Sequence, residues 1–106
     1  MSEWVRVAAA DAVPEGRGRV YELGPRRVAV FRVQGELFAL DNVCPHVGGP
    51  LGEGQLEGTT VRCPWHQWPF DLRTGCTTRP PSASVQRFAV KVEGEDLLVR
   101  SEPVAE

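Results

Sequence analysis

Two short segments constrain this chain more than anything else in it. One is Cys44-Pro45-His46. The other, after a gap of sixteen residues, is Cys63-Pro64-Trp65-His66. Each offers one thiolate and one imidazole, donors that suit iron and zinc. The only two histidines of the chain both fall inside these segments. Cys44, His46, Cys63 and His66 therefore form the candidate metal-ligand set. Holding four such donors together requires two loops on a rigid base.

The spacing favours one kind of centre. A [2Fe–2S] rhomb has two bridging sulfides, so each tetrahedral iron keeps two positions for protein. The pattern C-x-H…C-x-x-H supplies the four donors needed. With two ferric ions, two sulfides and two thiolates, the formal charge is zero, so an incoming electron meets a neutral group. Four thiolates would present a dianion, and repulsion at low dielectric would oppose reduction. A Cys₂His₂ zinc site uses the same ligand types, and a zinc-stabilised interaction module is the alternative from a different class. Zinc arms, however, usually bring like ligands, C-x-x-C with H-x₃₋₅-H. Here each arm mixes Cys with His.

Cys44-Pro45-His46-Val47-Gly48-Gly49-Pro50-Leu51 resembles the first cluster loop of the Rieske-type [2Fe–2S] ferredoxin family. Cys63-Pro64-Trp65-His66-Gln67-Trp68-Pro69-Phe70-Asp71 resembles the second. Arg73-Thr74-Gly75 and Arg79-Pro80-Pro81 are similar to the family's turn and proline loop. The resemblance implies a Rieske [2Fe–2S] cofactor, with Cys44 and Cys63 on an inner iron and His46 and His66 on an outer, solvent-facing one. It also implies an all-β Rieske fold in a single domain spanning 1–106. That fold is an antiparallel β-sandwich or barrel base, about 1–40 and 82–100, with a small cluster-binding subdomain, about 41–81, inserted into it.

Composition agrees with a soluble carrier. The 106 residues fit one domain, and 42% are hydrophobic. No apolar run reaches the roughly 20 residues of a membrane helix, and Met1-Ser2-Glu3-Trp4 does not read as a signal peptide. The net charge of −2 comes with no basic stripe, which argues against nucleic acid. Three cysteines are too few for a disulfide framework, so a reducing, cytoplasmic setting is expected. Cys76, left over from the ligand set, reads as a small semi-buried residue near the cluster.

Short β-rich runs separated by turns predict the strands. Trp4 to Val7 reads as an edge strand, and Ala8 to Val13 as one helical turn ended by Pro14. Glu15-Gly16-Arg17-Gly18 reads as a loop. Arg19 to Leu23 alternates, and Gly24-Pro25 turns the chain. Val28 to Val33 and Leu37 to Leu40 flank Gln34-Gly35-Glu36 as a hairpin whose second strand leads into Asp41-Asn42-Val43-Cys44. Gln55 to Glu57 and Thr59 to Val61 form a short hairpin, and Trp68 to Leu72 a strand. Thr77 to Ala83 shows no pattern. Phe88, Val90 and Val92 alternate toward a turn at 93–96 and a return through Leu97 to Val99. Ser101 to Glu106 reads as a frayed tail. Gly48, Gly49, Gly52, Gly54 and Gly58 read either as amide donors to the sulfurs or as plain turns.

The departures from the family pattern narrow the function. Cytochrome bc-type relatives carry a disulfide between the two loops; the matching positions here are Gly49 and Trp65. Their serine and tyrosine hydroxyls correspond to Trp68 and Phe70, which cannot donate such O–H bonds to sulfur. A potential near the low end of the Rieske range, roughly −150 mV, is expected. No G-x-G-x-x-G is present for a nicotinamide or flavin, and no histidine remains for an oxygen-activating iron. The expectation is therefore an electron-transfer protein, not an enzyme. It would act as the ferredoxin component between a flavin reductase and a terminal oxygenase, exchanging electrons near His46 or His66. The alternative is the small subunit of an NAD(P)H-dependent nitrite reductase, beside its large subunit; Gln67, at a position often glycine in the ferredoxins, leaves that reading open. Trp65 and Trp68 read as either a docking rim or a shield.

Overall fold

The computed structural model describes residues 3–43, 49–65, 67–77 and 84–104. Nine strands account for most of them: β1 (Trp4–Ala9), β2 (Arg17–Leu23), β3 (Arg26–Val33), β4 (Glu36–Asp41), β5 (Gln55–Glu57), β6 (Thr60–Arg62), β7 (Pro69–Asp71), β8 (Arg87–Glu93) and β9 (Asp96–Pro103). They form a six-stranded sheet in the order β1-β9-β8-β4-β3-β2 and a three-stranded sheet in the order β5-β6-β7. Every strand pairing is antiparallel. Among the described residues no helix is long and apolar enough to cross a membrane.

Strand β3 organises both cores. Side chains alternate across a strand, and here both faces are buried. Val28 and Val30 join Val13, Leu23, Ala39, Phe88, Leu97 and Val99, with Val5, Val7, Tyr21 and Val90 packed around them. All six strands of the large sheet contribute to that cluster, so the sheet curls around it. The opposite face of β3, Ala29, Phe31 and Val33, meets Leu40, Leu51, Val61, Cys63, Trp68, Phe70, Leu72 and Val85. This second core joins the small sheet to the large one. Cys63 thus sits inside a hydrophobic cluster.

Turn chemistry sets the registers. Val33 pairs with Glu36, leaving the two-residue turn Gln34-Gly35. Both residues have positive φ, 52° and 78°, as a twist-matched hairpin turn requires. The carboxylate of Glu15 accepts the backbone N–H groups of Gln34 and Gly35.

Three local expectations are corrected. Ala8 and Ala9 continue β1, paired with Leu97 and Asp96, in place of a helical turn. The segment beyond them is held instead by Arg32, which donates to the carbonyls of Val13 (2.7 Å) and Ala10 (2.8 Å). Arg17 and Gly18 belong to β2, opposite Arg32 and Phe31, so the loop before it is shorter than expected. The C-terminal stretch is not frayed through Pro103. Ser101 donates its N–H to the Glu3 carbonyl (2.7 Å), and its Oγ accepts the Glu3 N–H (2.9 Å). Ala105 and Glu106 lie outside the described residues.

Candidate functional site

The first arm is clasped at its stem. Asn42 is buried and uses three groups there. Its N–H donates to the Arg27 carbonyl (3.0 Å), its carbonyl accepts the Leu51 N–H (2.8 Å), and its Oδ1 accepts the Gly52 N–H (2.8 Å). Val43 and Pro50 add an antiparallel bridge. The chain therefore leaves at Val43 and returns at Pro50 through two fixed stems. A buried amide N–H needs a partner, and Asn42 supplies one where no strand is available.

The second arm connects β6 to β7. Arg62 and Pro69 close the ladder. Beyond them the Cys63 N–H donates to the Trp68 carbonyl (2.8 Å), and the Gln67 N–H donates to the Cys63 carbonyl (3.1 Å). Gln67 takes a left-handed backbone, φ 60°. A third turn follows β7: Asp71 accepts the Arg73 N–H through Oδ1 (2.7 Å) and the Gly75 N–H through its carbonyl (2.7 Å). Cys76 then pairs with Ser84.

The arms meet at Gly49 and Cys63. Cys63 is 0% exposed. A Cβ added to Gly49 would lie 2.8 Å from the Cys63 Sγ and 3.2 Å from the indole of Trp65. Only a residue without a side chain fits there. Gly49 and Trp65, the positions matching the absent disulfide, are therefore neighbours. The donor chemistry fits an iron–sulfur group: a thiolate-forming side chain removed from water, beside space that a larger neighbour would fill.

Of the four expected ligands, Cys63 alone is described; Cys44, His46 and His66 lie outside the described residues, as do Gly48 and Arg79-Pro80-Pro81. The two tryptophans separate. Trp68 is 7% exposed and packs in the core around Cys63, whereas Trp65 is 52% exposed. The glycines separate as well. The N–H of Gly52 goes to Asn42, that of Gly54 goes to the Leu51 carbonyl (2.9 Å), and Gly58 turns β5 into β6 with φ 58°. Gly49 alone among the described glycines faces the candidate ligand. Cys76 is exposed, not semi-buried. Sequence reasoning does not single out Asn42 or Arg62, whose side chains hold backbone groups of the two arms. The Asp41-Asn42 pair at a strand end is a turn signal, but its burial is a tertiary fact.

The family described as Rieske [2Fe-2S] domain matches residues 3–100. The ferredoxin component of the naphthalene 1,2-dioxygenase/salicylate 5-hydroxylase systems of Ralstonia sp. is 33% identical over 102 residues, covering 93% of this chain and 96% of that one. In the solved complex of reduced oxygenase and oxidized ferredoxin in carbazole 1,9a-dioxygenase, one chain is 30% identical, with a TM-score of 0.88 and 97% of each chain covered. A Mycobacterium tuberculosis protein assigned as an NADH-dependent nitrite reductase small subunit is 26% identical, with a TM-score of 0.88, covering 98% of this chain and 99% of that one.

Proposed function

The chain belongs to the Rieske [2Fe–2S] domain family, and on that premise we propose that it is a one-electron carrier, the ferredoxin component that passes electrons from a flavin reductase to a terminal oxygenase. Cys44, His46, Cys63 and His66 hold the cluster in this reading, with the segment of about 41–81 as the inserted binding subdomain of one domain. The bound cluster supplies reversible one-electron chemistry; the substrate chemistry belongs to the partner. The supporting observation is the meeting of the two arms, where buried Cys63 faces the bare backbone of Gly49. The chain's own residues keep water from the Cys63 thiolate, through Trp68, Phe70 and Val61, and present the apolar Trp65 outward. Thiolate ligands fit a reducing, cytoplasmic setting.

The second reading is the small subunit of a nitrite reductase, favoured by the equally close fold of the Mycobacterium tuberculosis protein. Gln67, at a position often glycine in the ferredoxins, is compatible with it.

The test has two parts. Purified protein reduced with dithionite should give a Rieske-type EPR signal and contain two irons per chain; a colourless, EPR-silent protein with stoichiometric zinc would replace the carrier with a zinc module. Isolation of the native complex then separates the partners. An oxygenase supports the ferredoxin reading, and a sirohaem-containing large subunit supports nitrite reduction.

A further inference from the structure

Two residues other than glycine have left-handed backbones among the described residues, Gln34 and Gln67. Such conformations persist in residues with a Cβ only where the surroundings enforce them. Each of these two is gripped by a charged side chain, 19 residues away at Gln34 and 5 residues away at Gln67. At Gln34 the grip is Glu15, and the left-handed pair is what the hairpin turn needs. At Gln67 the grip is Arg62, whose Nη1 donates to the Gln67 carbonyl (3.2 Å). The Nε of the same guanidinium donates to Glu57 Oε1 (2.9 Å), which aims the fork.

Gln67 lies in the connection that carries Cys63 and follows directly on His66. Its N–H is already held by the Cys63 carbonyl. With Arg62 on its own carbonyl, both ends of the residue are fixed. We infer that Arg62, braced by Glu57, is a positioning residue: it holds the Cys63–Trp68 connection in the shape that accepts the cluster, by stabilising the left-handed backbone at Gln67. The inference rests on reading Cys63 and His66 as ligands. Lysine would not substitute, because a point charge lacks the two-pronged planar fork.

The test compares Arg62→Gln, Arg62→Lys, Gln67→Gly and the double variant Arg62→Gln/Gln67→Gly as cluster-loaded proteins. The readout is the rate at which visible absorbance bleaches in excess iron chelator. Arg62→Gln and Arg62→Lys should bleach faster than the parent, about tenfold for the loss of a charge-assisted hydrogen bond. The double variant should return close to the parent rate, because glycine needs no clamp at that backbone angle. A double variant as labile as Arg62→Gln would overturn the inference, since an effect of Arg62's charge on the cluster would survive the glycine. So would an Arg62→Gln protein no more labile than the parent. If the parent takes up no cluster at all, the carrier reading fails, and the clamp is judged on metal-free protein. Amide exchange at Gln67 should then be about tenfold faster in Arg62→Gln, and unchanged exchange would overturn the clamp.

Discussion

Gly49 and Cys63 stand so close that a single methyl group on Gly49 would press to 2.8 Å from the Cys63 sulfur. That sulfur is buried in the core, and its backbone is tied at both N–H and carbonyl. It has little freedom to retreat. We expect Gly49→Ala to fold but to lose most of its iron and sulfide, because overpacking at a fixed site forces strain. Iron and sulfide analysis against the circular dichroism of the folded chain checks this; full cluster content would show that the space beside Cys63 is not used.

The contrast between the tryptophans gives a second expectation. Trp68 is in the core and Trp65 is half exposed. Trp68→Ala should destabilise the protein by about 3–5 kcal/mol, read as a lowered denaturant midpoint, with cluster loss following. Trp65→Ala should leave stability and the visible spectrum near the parent while slowing reduction of the partner in stopped-flow mixing. Bleaching of Trp65→Ala would instead make that indole a shield over the arms.

Asn42 is the stem of the first arm. Asn42→Ala leaves the buried Gly52 N–H without its acceptor, a cost of about 1–3 kcal/mol. Thermal unfolding should register the loss. Asn42→Asp keeps an acceptor but places a carboxylate in a buried site, so its penalty should shrink as pH falls. An Asn42→Ala protein with unchanged stability would mean that the clasp is carried by the backbone bonds of residue 42 and the Val43–Pro50 bridge.

Glu15 gives a pH dependence with a definite sign. The N–H of Gly35, and next that of Gln34, hold its carboxyl below the ordinary carboxylate value, helped by Arg32 and opposed by a little burial. A lowered folded-state value means that the stabilisation is present above the ordinary value, about 4.3, and is lost as pH falls through the lowered one. The parent should therefore exceed Glu15→Gln in melting temperature at neutral pH, with the gap closing on the acid side. A gap that is constant from neutral pH to below about pH 3 would contradict the assignment.

Most strands were legible because β-rich runs and turn residues agree along them, as in Val28 to Val33 and the turn after it, although Glu36, expected in that turn, opens β4. Misreadings occurred where the deciding partner is remote. Ser101 and Glu102 look like a polar tail, yet Ser101 pairs with Glu3, at the other end of the chain. Ala8 and Ala9 have helical propensity, but their partners on β9 override it. The expected ligand pattern lies in two short motifs, and of its four donors the structure describes Cys63. The side chains that hold its stems, Asn42 on one and Arg62 on the other, are harder to read: Asp41-Asn42 signals only a turn, and each side chain acts on a backbone group whose position depends on the fold. Cys76, expected to be semi-buried, is exposed, and nothing in its residue type marks that.

Strand β3 is a party wall: Phe31 closes the compartment holding Cys63, while Val30 closes the other. Anyone transplanting the two arms with their candidate donors onto a foreign scaffold would have to bring that wall's near side, Ala29 and Phe31, together with Leu40. Without them the graft would carry the donors but not the dry floor beneath Cys63.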